Sequence, residues 1–285
     1  MINGIVLLNK ERGISSNTAV NKVKHLLKAQ KAGHLGTLDV LAEGLLPITI
    51  GRGTKLFDYY LSKDKVYIAN FKFGQTTDTL DLEGEIKEEE NVSISREMVE
   101  NILPTFFGKQ QQLPPIYSAK KINGKTAYSL AREGKDIALS PKEINIYSIK
   151  CLDETEKNAF RFEIHCSSGT YIRAICRDLA KALGTVGVMT FLQRTKCGEF
   201  CLDDAFSLEQ IKNGDYKLIN LDSLFEHLDS IILNDTDTDK ILNGIKIPYQ
   251  KDGEFKIYGK GQFLGVGEVI NNVLRLKLRL ISGFN

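Results

Sequence analysis

The stretch from Gly33 to Lys55 constrains this chain more than any other. It reads Gly33-His34-Leu35-Gly36-Thr37-Leu38-Asp39-Val40-Leu41-Ala42-Glu43-Gly44-Leu45-Leu46-Pro47, and closes on Gly51-Arg52-Gly53-Thr54-Lys55. Asp39 stands between two glycine-bearing segments and an apolar run. Gly33, Gly36 and Gly44 let the backbone turn tightly or meet another molecule closely. Leu38, Val40, Leu41, Leu45 and Leu46 anchor the loop. Together they hold a carboxylate rigidly at the edge of a cleft. Asp is also a common turn residue, because its side chain caps nearby N–H groups, and on residue types alone that plainer reading is the stronger. The stretch is not a Walker loop, since no Gly-Lys-Ser/Thr ends it, and it holds no Gly-x-Gly-x-x-Gly.

The 285 residues suffice for a sizeable core and two domains. A hydrophobic content of 42% and a charged content of 26% belong to a soluble globular protein. No apolar run approaches the ~20 residues of a membrane span, and no signal peptide opens the sequence. The cytoplasm is therefore the expected compartment. Cys151, Cys166, Cys176, Cys197 and Cys201 form no paired framework and no Cys-x-x-Cys. No second Cys or His pair completes a zinc site around Cys197 and Cys201, so buried free thiols are expected.

Net charge is +2, which taken whole does not point to nucleic acid. Its distribution says more. Residues 1–65 carry ten Lys/Arg against five Asp/Glu, residues 103–150 eight against three, and residues 240–285 eight against three. Residues 76–100 and 203–239 are acidic. Three basic blocks between two acidic ones can build one basic face for a polyanion, or they can be ordinary solvated charge.

Residues 2–8 read as a buried strand. Ser15 or Ser16 can cap the helix that follows, in which Ala19, Val20, Val23, Leu26 and Leu27 recur at helical spacing. A short helix is expected around Leu56–Leu61. From Val66 to Gly74 the pattern alternates, with Tyr67, Ala69, Phe71 and Phe73 on one face of a half-buried strand. Residues 75–90 are polar and acidic, a loop. A helix near Ser95–Phe107 meets Pro104, which argues for an early end or a kink. The segment from Gln112 to Tyr128 is basic, with Tyr117 and Tyr128 interleaved. It reads as an RNA-facing surface or as a Pro-bounded loop leading into a helix. Strands follow at 143–151 and 159–167, then a helix in which Ile172, Ile175, Leu179 and Leu183 face inward and Gly184 fits the C′ position. The string Asn234-Asp235-Thr236-Asp237-Thr238-Asp239 reads as a linker. Beyond it lie short β-like runs, of which Leu274–Leu280 alternates strictly, apolar on one face and basic on the other. Domains are expected at 1–229 and 230–285.

Three separated segments resemble, in order and spacing, the TruB-type tRNA pseudouridine synthases of bacteria. The first is Gly33-His34-x-Gly36-Thr37-Leu38-Asp39-x-Leu41-Ala42-x-Gly44-Leu45-Leu46-Pro47. The second is Lys65-x-Tyr67 with Gly74-Gln75-x-Thr77-Asp78-Thr79-x-Asp81. The third is Ser168-Gly169-Thr170-Tyr171-Ile172-Arg173, followed by Phe191-Leu192-Gln193-Arg194. The resemblance runs from residue 4 to about residue 229. There are departures. Lys10-Glu11 stands where the family often has Lys-Pro, Val40 where it usually has Pro, Lys120 where it often has Leu, and Gln193 where it has Arg.

The resemblance implies an α/β (α+β) pseudouridine synthase fold with a mixed, mainly antiparallel sheet and flanking helices. The last fifty or so residues match the place of a small C-terminal β-barrel, the PUA-like RNA-binding domain. It implies isomerisation of uridine to pseudouridine at the T-loop position of tRNA conventionally numbered 55, on a flipped-out base, without metal or cofactor. Asp39 is then the catalytic nucleophile, Tyr67 the stacking platform and proton relay, and Arg173 the counter-charge. Tyr171 and Leu192 line the pocket. His34 fills the space vacated in the RNA loop, unless it is a plain turn histidine. Arg173 sits in the first turn of its helix, where the dipole disfavours a cation. A buried carboxylate partner resolves this, and Asp39 is the candidate, held by two parallel hydrogen bonds. Two other classes stay open: the catalytic subunit of a guide-RNA-dependent pseudouridylating ribonucleoprotein, and a tRNA-folding factor without essential catalysis. The former usually carries a more elaborate C-terminal region and basic tails. A chain ending at Asn285 makes the stand-alone, monomeric enzyme acting on the T-arm the expectation.

Overall fold

The computed structural model describes residues 2–117, 121–122, 125–126 and 139–281. Lys120 and Tyr128 lie outside the described residues. In chain order the strands are β1 (Gly4–Lys10), β2 (Ala32–His34), β3 (Glu43–Ile50), β4 (Lys65–Phe73), β5 (Gln75–Thr77), β6 (Ile86–Glu89), β7 (Gly108–Gln112), β8 (Lys121–Ile122), β9 (Lys125–Thr126), β10 (Lys142–Glu156), β11 (Ala159–Cys166), β12 (Gly187–Cys197) and β13 (Phe200–Cys201). A second set follows: β14 (Ser230–Leu233), β15 (Ile247–Pro248), β16 (Gly253–Gly259), β17 (Gln262–Ile270) and β18 (Val273–Arg279).

The central sheet runs β1-β3-β12-β4-β11-β10-β7, with β2 on β3 and β13 on β12. Every pairing is antiparallel except β3 with β12, where Glu43 and Gly44 face Gln193 and Arg194 in parallel register. At this seam a Cβ on Gly44 would lie 2.5 Å from the Arg194 carbonyl oxygen, and Gly44 adopts φ 96°. Only glycine fits there without strain.

β4 shows why the alternating pattern was informative. Lys65, Tyr67, Ala69, Phe71 and Phe73 are all buried, and the residues between them are half-buried. Phe71 packs on Phe162 across the β4–β11 pairing, with ring centroids 4.8 Å apart. The helices Ser16–Leu26 and Ile172–Ala182 bury Ala19, Val20, Val23, Ile172, Ile175 and Leu179 in the same core. A second apolar cluster joins Ile5, Leu7, Leu35, Leu45 and Tyr60 to Phe225, and takes in Val266 of β17 and Leu280 just past β18.

Several elements differ from the sequence reading. Residues 75–77 and 86–89 form a hairpin rather than a loop. The helix near Ser95–Phe107 does end early, as Pro104 argued: it stops at Ile102 and tightens to a 3-10 turn over Leu103–Phe106, with Pro104 in its first turn. The acidic string 234–239 is a helix, Asp235–Leu242, not a linker. Asn234 caps it by accepting from the Asp237 N–H at 2.8 Å, and Asp235 and Asp237 sit where the dipole favours an anion. Its own Thr238 and Ile241 form its buried face.

The second sheet runs β14-β16-β17-β18-β15, with β14 parallel to β16 and the rest antiparallel. It curls round its own core of Ile231, Ile241, Phe255, Ile257, Leu264, Val269 and Leu274. The basic face of β18 is not free: Arg275 pairs with Glu268 at 2.5 Å, and Lys277 with Glu254 at 2.5 Å. No helix among the described residues is long and apolar enough to cross a membrane.

Candidate active site

Residues 35–42 join β2 to β3, and groups from distant parts of the chain hold them. The Leu35 N–H donates to the Pro47 carbonyl at 3.1 Å. Arg194 is 1% exposed. Its Nη2 donates to the Gly36 carbonyl at 3.1 Å, its Nη1 to Thr37 at 3.5 Å, and its Nε to Leu45 at 2.8 Å. The Ser16 hydroxyl bonds the backbone of Leu38. The Gly13 N–H and the Lys10 ammonium both reach the Val40 carbonyl, at 2.8 Å and 3.5 Å. Gly36, at φ 127°, turns the chain beneath the Arg194 guanidinium.

Asp39 projects from this loop into a cleft of about 480 Å³ whose walls include Leu61, Lys65, Tyr67, Tyr171, Arg173, Leu192 and Arg194. Arg173 Nη2 lies 3.0 Å from Asp39 Oδ2. The fork expected between these two is divided. Arg173 Nη1 goes instead to Asp81 Oδ2, at 3.3 Å. The remaining donors reach the Thr79 carbonyl at 2.9 Å and the Tyr117 carbonyl at 3.1 Å. Asp81, not Asp39, is the buried carboxylate: its side chain is 5% exposed, against 44% for Asp39. One guanidinium thus fixes a buried anion and aims an accessible one.

Burial and charge tune the neighbours. Burial pushes the Tyr67 hydroxyl up to about 12, against the pull of Arg194. It brings Lys10 down to about 8, although the Asp39 charge holds it up. Lys65 is lowered by burial, and its ammonium donates to the carbonyls of Tyr60 and Leu61 at 3.4 Å and 3.2 Å. The cleft therefore offers the accessible Asp39 side chain beside a phenol whose proton is held more tightly by burial, with Leu192 in the lining and basic side chains around them. That set suits nucleophilic attack on a flat, uncharged ring system and its sugar.

Comparison with known proteins agrees with this arrangement. Residues 24–172 match the model of the TruB family pseudouridylate synthase N-terminal domain. Residues 173–234 match the tRNA pseudouridylate synthase B C-terminal domain, and residues 230–278 the C-terminal model of pseudouridine synthase II TruB. The chain is 43% identical to the tRNA pseudouridine synthase B of Hydrogenovibrio crunogenus, over 100% of this chain and 95% of that protein. It is 40% identical to the one from Francisella philomiragia, over 94% of this chain and 91% of that one. The chain belongs to the TruB family of pseudouridylate synthases. In fold it also resembles the archaeal box H/ACA sRNP Nop10-Cbf5 complex, at 18% identity and a TM-score of 0.68, with 98% of this chain and 86% of that one covered.

Of the residues singled out in the sequence of this TruB-family chain, Asp39, Tyr67, Tyr171, Arg173 and Leu192 meet in one cleft. His34 does not line it. His34 faces a neighbouring hollow with Asn17, Lys31, Thr54 and Phe57. Its Nδ1 accepts from the Gly36 N–H at 3.3 Å, and burial first, then Arg194, lowers its pKa. Asp81, Arg194 and Gln112 carry structural weight that was not assigned to them. The Gln112 side chain accepts from the Tyr171 N–H at 2.8 Å and donates to the Tyr171 carbonyl at 3.1 Å, fixing the residue that opens the Arg173 helix.

Proposed function

We propose that this protein isomerises uridine to pseudouridine in the T loop of tRNA, at the position conventionally numbered 55, with Asp39 as nucleophile. The Asp39–Arg173 contact at 3.0 Å, on an anchored loop facing Tyr67, carries the reading. A uridine stacked in the RNA lies out of reach of Asp39, so it leaves its stack and enters the cleft, as bases must for chemistry at the ring. Asp39 attacks either the sugar C1′ or the uracil ring. The C1′–N1 bond breaks, the uracil turns in place, and its C5 bonds to C1′ as Asp39 is released. The C5 proton then leaves the base and N1 takes one up, so the proton count is unchanged. No electrons enter or depart, and the product is an isomer of the substrate.

Arg173 aims Asp39, and Asp81 holds Arg173. Tyr67 stacks on the uracil. With its pKa pushed up to about 12 it acts protonated, taking one proton as it gives another. Tyr171 and Leu192 close the pocket over the ring, and His34 enters the RNA loop from the neighbouring hollow. Lys142, which lines the cleft mouth, meets the phosphate chain. Residues 1–229 form the catalytic domain, and residues 230–285 a small PUA-like domain that reaches further along the RNA. The protein works as a monomer, without an obligate protein partner.

Purified protein on a bare T-arm hairpin tests this. Wild type should form pseudouridine without guide RNA or added protein, and Asp39→Asn should form none while binding the hairpin as wild type does. A need for a second RNA would favour the guide-dependent class. Turnover by Asp39→Asn would remove Asp39 from its role.

A further inference from the structure

Leu38, the residue before Asp39, has both backbone polar groups on one side chain. The Ser16 hydroxyl accepts from the Leu38 N–H at 2.8 Å and donates to the Leu38 carbonyl at 2.9 Å. Ser16 is 3% exposed and Leu38 is 3% exposed, so the exchange is sealed from solvent. Ser16 is also free of the task its position suggests. Its neighbour Ser15 caps the helix, accepting from the Thr18 N–H at 3.0 Å.

A hydroxyl has one donor and two acceptor sites, and this one is used in both senses on a single residue. The Leu38 carbonyl and the Asp39 N–H share one rigid peptide plane. Fixing that carbonyl fixes the plane from which the Asp39 side chain departs. Asp39 itself is 44% exposed at its side chain and, among the described residues, has Arg173 as its one ion-pair partner. Its aim therefore depends on backbone held from behind. Gln112 holds Tyr171 by the same two-way bonding on the opposite element of the site.

We infer that Ser16 is a positioning residue for the isomerisation: its hydroxyl sets the peptide plane from which Asp39 is aimed. This rests on the reading of Asp39 as nucleophile. A small misplacement of a reacting group is enough to slow chemistry without weakening binding.

The test uses the full-length protein and the T-arm hairpin, with single-turnover rate at saturating enzyme, hairpin Kd and melting temperature measured for each variant. Ser16→Ala should slow the single-turnover rate about 10- to 100-fold with the Kd unchanged. Ser16→Thr, which keeps a hydroxyl at the same Cβ, should restore most of it. Ser15→Ala is the control: it removes a helix cap, so it should lower the melting temperature and leave the rate alone. A wild-type rate in Ser16→Ala overturns the inference, as does a rate loss that Ser15→Ala reproduces. Should Ser16→Ala fail to fold, Ser16→Cys fills the same space with a weak donor and acceptor. It should fall between wild type and inactive, and a wild-type rate there overturns the inference equally. Activity in Asp39→Asn would end the nucleophile reading. An inactive Asp39→Asn beside an unaffected Ser16→Ala would end only the role of Ser16.

Discussion

Arg173 and Arg194 come from different elements, one from the first turn of the helix Ile172–Ala182 and the other from strand β12, and both reach the loop that carries Asp39. Their surroundings differ in kind. Arg173 spans two carboxylates, Asp39 and Asp81. Among the described residues Arg194 has no carboxylate within ion-pair distance; it donates to the carbonyls of Gly36, Thr37 and Leu45 and lies beside the Tyr67 hydroxyl. A guanidinium on carbonyls is a staple: it orders backbone and leaves its charge uncancelled. A guanidinium on a half-exposed carboxylate orients a group that stays open to the cleft. The same side chain therefore builds the loop in one place and arms it in the other.

Exchanging each for lysine should break the symmetry between them, and gives the largest expected effect. Lysine keeps the charge but loses the planar fork. Arg173→Lys can reach Asp39 or Asp81, not both in their present geometry. It should lose most of the rate, on the order of 100-fold, while hairpin affinity holds. Arg173→Ala should also unfold more readily, because a buried carboxylate left without its partner costs ~3–5 kcal/mol, here chiefly at Asp81. Arg194→Lys should show the reverse weighting. Leaving buried carbonyls unserved costs about 1–3 kcal/mol each, so its main signature is a lower denaturation midpoint, with the rate following as the loop loosens. Equal losses of rate at equal stability in the two lysine variants would erase the distinction.

Tyr67 sharpens the comparison, because it lies within the field of Arg194 rather than Arg173. Tyr67→Phe keeps the stacking face and removes the hydroxyl. It should bind the hairpin and stall before product, whereas Tyr67→Leu should also lose the stacking contribution, typically ~1–3 kcal/mol. Rapid-quench analysis of both variants separates the outcomes. Full turnover by Tyr67→Phe would make the ring a platform only.

The motif residues were legible because their roles are tied to local spacing. Asp39 lies in a glycine-bounded loop, Tyr67 on a strand of strict alternation, and Arg173 where a helix begins. What stayed hidden depends on contacts across the chain. Asp81 sits in a stretch whose acidic composition reads as a solvated loop, yet the hairpin of β5 and β6 folds that stretch back until Asp81 is buried against Arg173. Ser16 and Ser15 are indistinguishable as caps in sequence, and only the packing of residues 35–42 gives the second hydroxyl to Leu38. The basic face of β18 was legible as a pattern but not as a function, since Glu268 on the adjoining β17 and Glu254 on β16 neutralise Arg275 and Lys277.

Lys10 gives the smallest effect and joins the Arg194 side of the comparison. It is fully buried, and its ammonium donates to the carbonyls of Ile14 at 2.8 Å, Glu11 at 3.0 Å and Val40 at 3.5 Å. Like Arg194 it serves backbone, but unlike a guanidinium it can shed its proton. Its pKa is lowered from 10.5 to about 8 by burial. Between those values the unfolded chain binds more protons at this position than the folded one, so the contribution of Lys10 to stability rises with pH across that window. The rise should amount to roughly 1–3 kcal/mol. Lys10→Met has no such group, so the difference in unfolding free energy between wild type and variant should grow in favour of wild type from pH 8 to 10, read by denaturant titration at several pH values. Parallel curves would mean that Lys10 does not titrate in this range. The Asp39 charge opposes the lowering, so in Asp39→Asn the rise should begin at lower pH. That shift would show the backbone-bound cation and the Asp39 carboxylate sharing one electrostatic site across the loop.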